Sequence, residues 1–294
     1  MGAANMNMNM NMNMNMGGAG IGLTSVAPAQ VRFNTADYRK LVQNPIQWLN
    51  LAVTPYPQFP LNWDPDLRSY VYLNEFLSRP AWPADLVALR AAALAVGLPT
   101  ATAVTLDAQL RAVLNMSPDR DDRFAEIIHQ HEAEGAISYF LGMLMIDPAR
   151  HPYTYLLIRV ARRIGELVTM ILKNEPDPVG HPLYRVPRPS QFCPAIVPMI
   201  DPPVTPSFPA GHALEATLIA LALKDAWAAT LPGQQPRLDM LDYLAFRIGE
   251  NRIIAGLHFP LDIDAGKAVA GALYPKMRLG AQFNDLVVLA HGES

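Results

Sequence analysis

The sequence predicts an all-α fold, and three observations support this prediction. Apolar side chains recur three or four residues apart through most of the chain after residue 65, which is the spacing of one helix face. The strict alternation of apolar and polar residues that marks β-strands is scarce. Prolines are concentrated in two stretches, residues 45–65 and 176–209, and leave the segments between and after them free to form helices.

The N-terminal part of the chain has no pattern that predicts regular structure. Residues 5–16 alternate Asn and Met, and glycines follow closely. Such a tract cannot bury a packed face of its own, so we expect residues 1–20 to form a disordered tail; copper(I) binding by the thioethers is an alternative that needs an enclosed cluster. The prolines of residues 45–65 predict an irregular wrapping segment. We expect residues 21–294 to form a single helical catalytic domain.

About eight helices are expected in that domain. They are predicted near residues 67–76, 86–94, 102–114, 123–145, 153–172, 213–227, 238–255 and 262–274. This number is compatible with one helical bundle. Residues 176–209 contain 11 prolines in 34 residues, which predicts a long, stiff loop. Long ordered loops inside compact domains are usually functional.

Composition limits the classes of function. The chain is 51% hydrophobic, enough for a full-sized core, and its formal net charge of -3 provides no basic field for nucleic acid or an acidic membrane surface. The longest apolar stretches are shorter than the ~18 residues that a membrane span needs, so we expect none. A lone cysteine, Cys193, and the absence of a signal-peptide pattern favour the cytoplasm. A homo-dimer is compatible with this apolar composition.

Two segments could bind an anion by placed groups. The proline-rich loop runs directly into an apolar helix at Gly211 and His212, so the Gly211 amide should lie at a positive helix end. Upstream in the loop, the guanidinium fork of Arg188 suits the paired oxygens of phosphate or vanadate. We therefore expect an oxyanion site where this loop meets the helix.

The second segment runs from Arg252 to Asp262. On one continuous helix, residues six apart point about 120° from each other, so Arg252 and His258 would not share a face. Gly256 can end the helix in a left-handed cap and let His258 turn back toward Arg252. Asp262 could then accept the proton of one ring nitrogen of His258 and leave the other nitrogen free to attack. Pro260 suits the first turn of the next helix.

Together, these segments resemble the signature of the type 2 phosphatidic acid phosphatase superfamily, which includes bacterial acid phosphatases and vanadium haloperoxidases. That signature reads Lys-x6-Arg-Pro, then Pro-Ser-Gly-His, then Ser-Arg-x5-His-x3-Asp. The matching residues, in order, are Arg188-Pro189, Pro209-x-Gly211-His212 and Arg252-x5-His258-x3-Asp262. Three linked motifs are far more specific than any one of them. The resemblance implies a single all-α bundle of this superfamily's type.

The resemblance also implies a role for each matched residue. His258 would be the nucleophile that forms a phosphohistidine, or the ligand of vanadium in a haloperoxidase, with Asp262 orienting it. His212 would be the general acid for the leaving group. The equatorial oxygens of the anion would be held by Arg188, Arg252 and the Gly211 amide. His181 stands seven residues before Arg188, where the signature has lysine.

Two further positions depart from the signature. Ala210 replaces its first serine and cannot donate a hydroxyl hydrogen bond, and Asn251 replaces its second. Lys173 or Arg185 could replace the missing ammonium, and Ser207 could supply a hydroxyl. The site is therefore expected to be retuned.

Three functions remain open at this stage. The first is a metal-independent phosphatase that hydrolyses a phosphate ester or small diphosphate and needs no cofactor. The alternative is a vanadate-dependent haloperoxidase that oxidises halide with hydrogen peroxide, against which the missing lysine counts. The third is a catalytically retuned or inactive bundle that binds a ligand or a partner chain.

Overall fold

The computed structural model of the protein describes residues 63–132, 134–174, 185–227 and 235–293. Every regular element in these ranges is helical, so the predicted all-α class is confirmed. The described helices lie in one compact unit, Pro65–Ser294. The expected tail and its boundary with the helical domain lie outside the described residues, as does nearly all of the proline-rich segment 45–65.

The described ranges contain eleven α-helices. In chain order they are α1 (Pro65–Leu77), α2 (Trp82–Val96), α3 (Ala103–Met116), α4 (Arg120–His131), α5 (Gly135–Leu144), α6 (Pro152–Asn174), α7 (Pro189–Phe192), α8 (Gly211–Trp227), α9 (Gln235–Ile254), α10 (Pro260–Met277) and α11 (Ala281–His291). A single 3-10 turn, Ser117–Asp119, joins α3 to α4.

The prediction of one continuous helix over residues 123–145 was wrong, because the chain turns between α4 and α5. The turn brings the backbone of Gly135 so close to α4 that a Cβ atom there would lie 1.6 Å from the carbonyl oxygen of His129. Helix α11 was not predicted. Its first turn is capped by the Glu75 carboxylate, which accepts hydrogen bonds from Gln282 N at 2.9 Å and Phe283 N at 3.2 Å.

Helix α8 lies at the centre of the bundle and packs against α6, α9, α10 and α11. Apolar side chains are buried on all sides of this helix, as expected for a helix surrounded by others. Helix α10 approaches the start of α8 closely, since a Cβ on Gly266 would lie 2.5 Å from the Ala210 carbonyl oxygen. A backbone hydrogen bond links the starts of the same two helices, since Ala210 N donates to Asp262 O at 3.0 Å.

The proline-rich loop is irregular from residue 185 to residue 210 apart from the one-turn helix α7, in agreement with the prediction. Its two ends are tied together, since Ser207 N donates to Val186 O at 2.8 Å. The loop therefore brings Arg188 close to the start of α8. Among the described helices, none has both the length and the apolar character that crossing a membrane requires.

Candidate active site

The turn after α9 brings His258 back toward Arg252. The helix ends at Ile254, and Gly256 adopts φ +76°, the left-handed conformation expected for it. Leu257 N and His258 N both donate to the Arg252 carbonyl oxygen, at 3.0 and 3.3 Å. The predicted cap is confirmed, and it removes the 120° separation that a continuous helix would impose.

Asp262 is oriented by three donors around one oxygen. Its Oδ2 atom accepts from Phe259 N at 2.8 Å, lies 3.2 Å from His258 Nδ1 and accepts the hydroxyl proton of Ser207. The Phe259 bond follows from the position of Asp262 in the first turn of α10, two residues after Pro260. Ser207, expected as a substitute hydroxyl donor for the anion, is engaged by this carboxylate.

The ring of His258 has a defined orientation. With Nδ1–H donated to Asp262, the lone pair of Nε2 faces NH1 of Arg188 at 3.0 Å. Burial, followed by the charges of Arg188 and Lys173, holds the pKa of His258 well below its usual range. Burial raises the pKa of Asp262 to about 6. At neutral pH the pair therefore consists of a neutral imidazole and a carboxylate.

Arg188 is buried, and backbone carbonyl groups hold its guanidinium. Its Nε and NH2 donate to Thr205 O at 3.2 and 3.0 Å, and NH1 donates to Leu257 O at 2.9 Å. Burial lowers its pKa to about 10, so it stays charged at neutral pH. Arg188 is thus fixed by backbone carbonyl groups and is hydrogen-bonded to Nε2 of His258.

Arg252 is even less exposed, at 1%, yet much of its guanidinium is unused. NH2 donates to Ile127 O at 3.0 Å, while Nε and NH1 have no hydrogen-bond partner within the described residues. Burial lowers its pKa to about 10, and Glu126 opposes this shift. A buried cation with two free donor groups indicates an anion site, because buried charges are normally paired.

His212 lies in the first turn of α8. Its Nε2 is 3.3 Å from the carbonyl oxygen of Gln130, in the last turn of α4. Burial, followed by the charges of Arg252 and His258, holds the pKa of His212 well below its usual range. Arg252 NH2 lies 3.5 Å from the Oε1 atom of the same Gln130, so His212 and Arg252 both reach this residue, whose role was not foreseen.

Asn251, which replaces a serine of the signature, has its side-chain amide bonded to α4. Its Nδ2 donates to Glu126 Oε1 at 2.8 Å and to Gln130 Oε1 at 2.9 Å, and its Oδ1 accepts from Arg123 NH1 at 2.9 Å. All three partners belong to α4. Asn251 therefore fixes α9 against α4 next to Arg252.

Lys173 is the cation that the end of α6 contributes. Its side chain is buried at 7% exposure, and burial followed by the charge of Arg188 lowers its pKa to about 7, while Asp262 and Glu215 oppose this. It lies near enough to Arg188 and Asp262 to interact with both charges. His181, at the lysine position of the signature, lies outside the described residues. Arg185, the other expected substitute, is exposed.

Gly211 is the first residue of α8, as predicted, so its amide belongs to the positive end of the central helix. A Cβ atom there would lie 3.3 Å from Thr169 Cγ2 and 3.5 Å from Glu215 Oε1, so a larger residue would crowd the Thr169 side chain. Within the described part of the chain, no cluster of His, Cys, Asp and Glu has the arrangement of a metal site.

Similarity to known proteins is found among solved structures. No protein-family model matches the chain, and no curated protein matches it. The chain is similar to the structure of a transmembrane PAP2-type phosphatidylglycerolphosphate phosphatase from Bacillus subtilis, with 20% identity and a TM-score of 0.46. The similarity covers 68% of this chain and 96% of that one.

Proposed function

We propose that this protein is a phosphatase that transfers the phosphoryl group of a phosphate ester or small diphosphate to His258 and then to water. The observation that carries the proposal is the pair of partnerless guanidinium nitrogens on buried Arg252. Arg188 and Lys173 add positive charge around the same region. A tetrahedral dianion would satisfy these groups together, and phosphoryl transfer needs such positioned charge more than it needs other chemistry.

In the first step, Nε2 of neutral His258 attacks phosphorus, the N–P bond forms and the bond to the leaving oxygen breaks. Asp262 accepts the hydrogen bond from Nδ1–H of His258 and stabilises the positive charge that develops on the ring, while the proton stays on Nδ1. In the free protein, Nε2 accepts a hydrogen bond from Arg188 NH1, so this N–H must turn to a phosphoryl oxygen when the substrate binds and release the lone pair for attack. The low pKa of His258 keeps this nucleophile unprotonated at neutral pH.

His212 is the proposed general acid. The negative charge of a bound phosphate opposes the effect of Arg252 and raises the pKa of the imidazole, so His212 gains a proton when substrate binds. Its Nε2–H donates to Gln130 O, which leaves Nδ1 to carry the proton that passes to the leaving oxygen. The neutral ring then accepts a proton from the water that attacks the phosphohistidine, and inorganic phosphate is released.

The proposal requires no metal and no cofactor, because three side-chain cations supply the charge. Vanadate, which adopts the geometry of the transition state, is expected to occupy the same site as an inhibitor. The missing signature lysine was the objection to the haloperoxidase alternative. Lys173 weakens this objection because it supplies an ammonium group from α6. Assays therefore have to separate the two functions.

The test is an assay of purified protein with an aryl phosphate, with and without vanadate, and a second assay with bromide, hydrogen peroxide and vanadate. Phosphate release that vanadate inhibits is the expected result. Vanadate-dependent bromide oxidation without phosphate release would overturn the proposal in favour of a haloperoxidase. Inactivity in both assays would favour a bundle that binds a ligand without catalysis.

A further inference from the structure

Thr169 has a deeply buried side-chain hydroxyl. Its side chain lies on α6, four residues before Lys173, and is 4% exposed. The Oγ1 atom has no hydrogen-bond partner within the described residues. Leaving a buried hydroxyl unsatisfied destabilises a protein by about 1–3 kcal/mol, so such a group in a site needs an explanation.

The position of Thr169 supplies that explanation. A Cβ atom on Gly211 would lie 3.3 Å from Thr169 Cγ2 and 3.8 Å from Oγ1, so the side chain packs directly beside the first residue of α8. Residues four apart share a helix face, so Thr169 and Lys173 approach the same region from α6. A hydroxyl, an ammonium and a helix N-terminus therefore converge beside one another.

The other candidate hydroxyls are not available there. Ala210 has none, and the hydroxyl of Ser207 is donated to Asp262. We propose that Thr169 Oγ1 donates a hydrogen bond to a non-bridging oxygen of the phosphoryl group at the start of α8. This inference rests on the proposed function, and it assigns to α6 a second contact with the substrate beside the charge of Lys173.

Two substitutions separate the hydroxyl from the packing of its side chain. Thr169→Val keeps the shape and loses the hydroxyl, whereas Thr169→Ser keeps the hydroxyl and loses the methyl group that contacts Gly211. We expect Thr169→Val to lower kcat/KM for an aryl phosphate by about 10- to 100-fold, as for loss of one hydrogen bond to a charged group. Thr169→Ser should stay close to wild type.

A matched control exists on the same helix. Thr154 also has a buried hydroxyl without a partner in the described structure, and it lies 15 residues away, or about 22 Å along the helix. Thr154→Val makes the same chemical change far from the site and is expected to leave kcat/KM and inhibition by inorganic phosphate unchanged. Circular dichroism melting of each variant corrects the rates for the folded fraction.

Three results would overturn the inference. One is wild-type kcat/KM and phosphate inhibition in Thr169→Val, and another is equal loss in Thr169→Ser, which would assign the effect to packing. The third is an equal loss in Thr154→Val. If the wild-type protein itself releases no phosphate and binds none in calorimetry, the proposed function fails together with this inference. If it is active and Thr169→Val is also fully active, only the role of Thr169 fails.

Discussion

Two buried arginines of this bundle have opposite surroundings. Arg159, on α6, bonds to the carboxylates of Asp66 and Glu134, with Nε 3.0 Å from Asp66 Oδ1. Burial lowers its pKa, but Tyr155 and these carboxylates outweigh burial and raise the pKa above its ordinary value. Arg252 has the reverse balance, with a lowered pKa and two donor groups unused.

Under the proposed function, the difference separates a structural arginine, Arg159, from a ligand-binding one, Arg252. The fold supplies Arg159 with the anions that neutralise it, so its interactions are complete in the free protein. Arg252 is buried without an equivalent bonded carboxylate, which raises the energy of the free protein and leaves interactions for an incoming anion. Substitutions should therefore affect stability at one position and activity at the other.

The largest expected loss of activity comes from removing the proposed nucleophile, His258. His258→Ala should lower kcat for an aryl phosphate by about 10⁴-fold or more, because no other neutral imidazole is held by a carboxylate there. Circular dichroism should show an unchanged helical fold. Activity within tenfold of wild type in a folded variant would remove the assigned nucleophile.

Substituting each arginine in turn tests the comparison itself. Arg252→Gln should lower kcat/KM by about 10²- to 10³-fold, the usual effect of losing one oxyanion donor, while the free energy of unfolding stays at or above the wild-type value because an unpaired buried charge is removed. Arg159→Gln should lower the free energy of unfolding by about 1–3 kcal/mol, since its partners are only half-buried, and leave kcat/KM nearly unchanged.

The control for this pair is Arg111→Gln, because Arg111 is exposed and pairs with Asp107 on the surface of α3. Urea unfolding and steady-state kinetics should both match wild type. If Arg252→Gln is strongly destabilised and Arg159→Gln is inactive though folded, the distinction between structural and ligand-binding arginines is wrong.

A smaller loss of activity is expected when the pH is raised above 7. Burial, followed by the charge of Arg188, lowers the pKa of Lys173 to about 7, so its ammonium is charged below that pH and neutral above it. Above pH 7, kcat/KM should fall by up to about tenfold per pH unit. Lys173→Arg keeps the charge and should move this decline to higher pH.

Glu215 provides the control for the pH profile. Burial raises its pKa to about 7, so its ionisation could produce a decline in the same range. Glu215→Gln should keep the alkaline decline if Lys173 is responsible. A decline that disappears in Glu215→Gln and persists in Lys173→Arg would contradict the assignment.

The smallest effect is stabilisation by product. Inorganic phosphate at about ten times its dissociation constant should raise the free energy of unfolding by about 1.4 kcal/mol and the melting temperature by a few degrees. Arg252→Gln should lose this shift and Arg159→Gln should keep it. Equal shifts in both variants would show that phosphate binds elsewhere.

The parts of the site that are local in sequence could be predicted. Gly256, Pro260 and Asp262 follow from backbone rules for caps and first turns, and the helix start at Gly211 follows from the prolines before it. Local rules also identify most helices. They failed between α4 and α5, where residues compatible with one helix instead turn, so that both short helices pack against α9 and against each other.

Contacts between distant segments could not be predicted in the same way. Lys173 precedes Arg188 by 15 residues rather than seven, and only the packing of α6 against α8 brings it near the site. Gln130 and Asn251 are joined across α4 and α9, and no spacing rule connects residues more than a hundred positions apart. Thr169 was missed for the same reason.

The most direct test of the mechanism is chemical trapping of the intermediate. Protein mixed with an aryl phosphate and denatured within milliseconds should carry an acid-labile phosphoryl group, which peptide mass spectrometry at alkaline pH locates on His258. The His258→Ala variant should carry none. Rapid turnover with no phosphoryl group on the wild-type protein, or with the group on a different residue, would contradict the proposed histidine nucleophile.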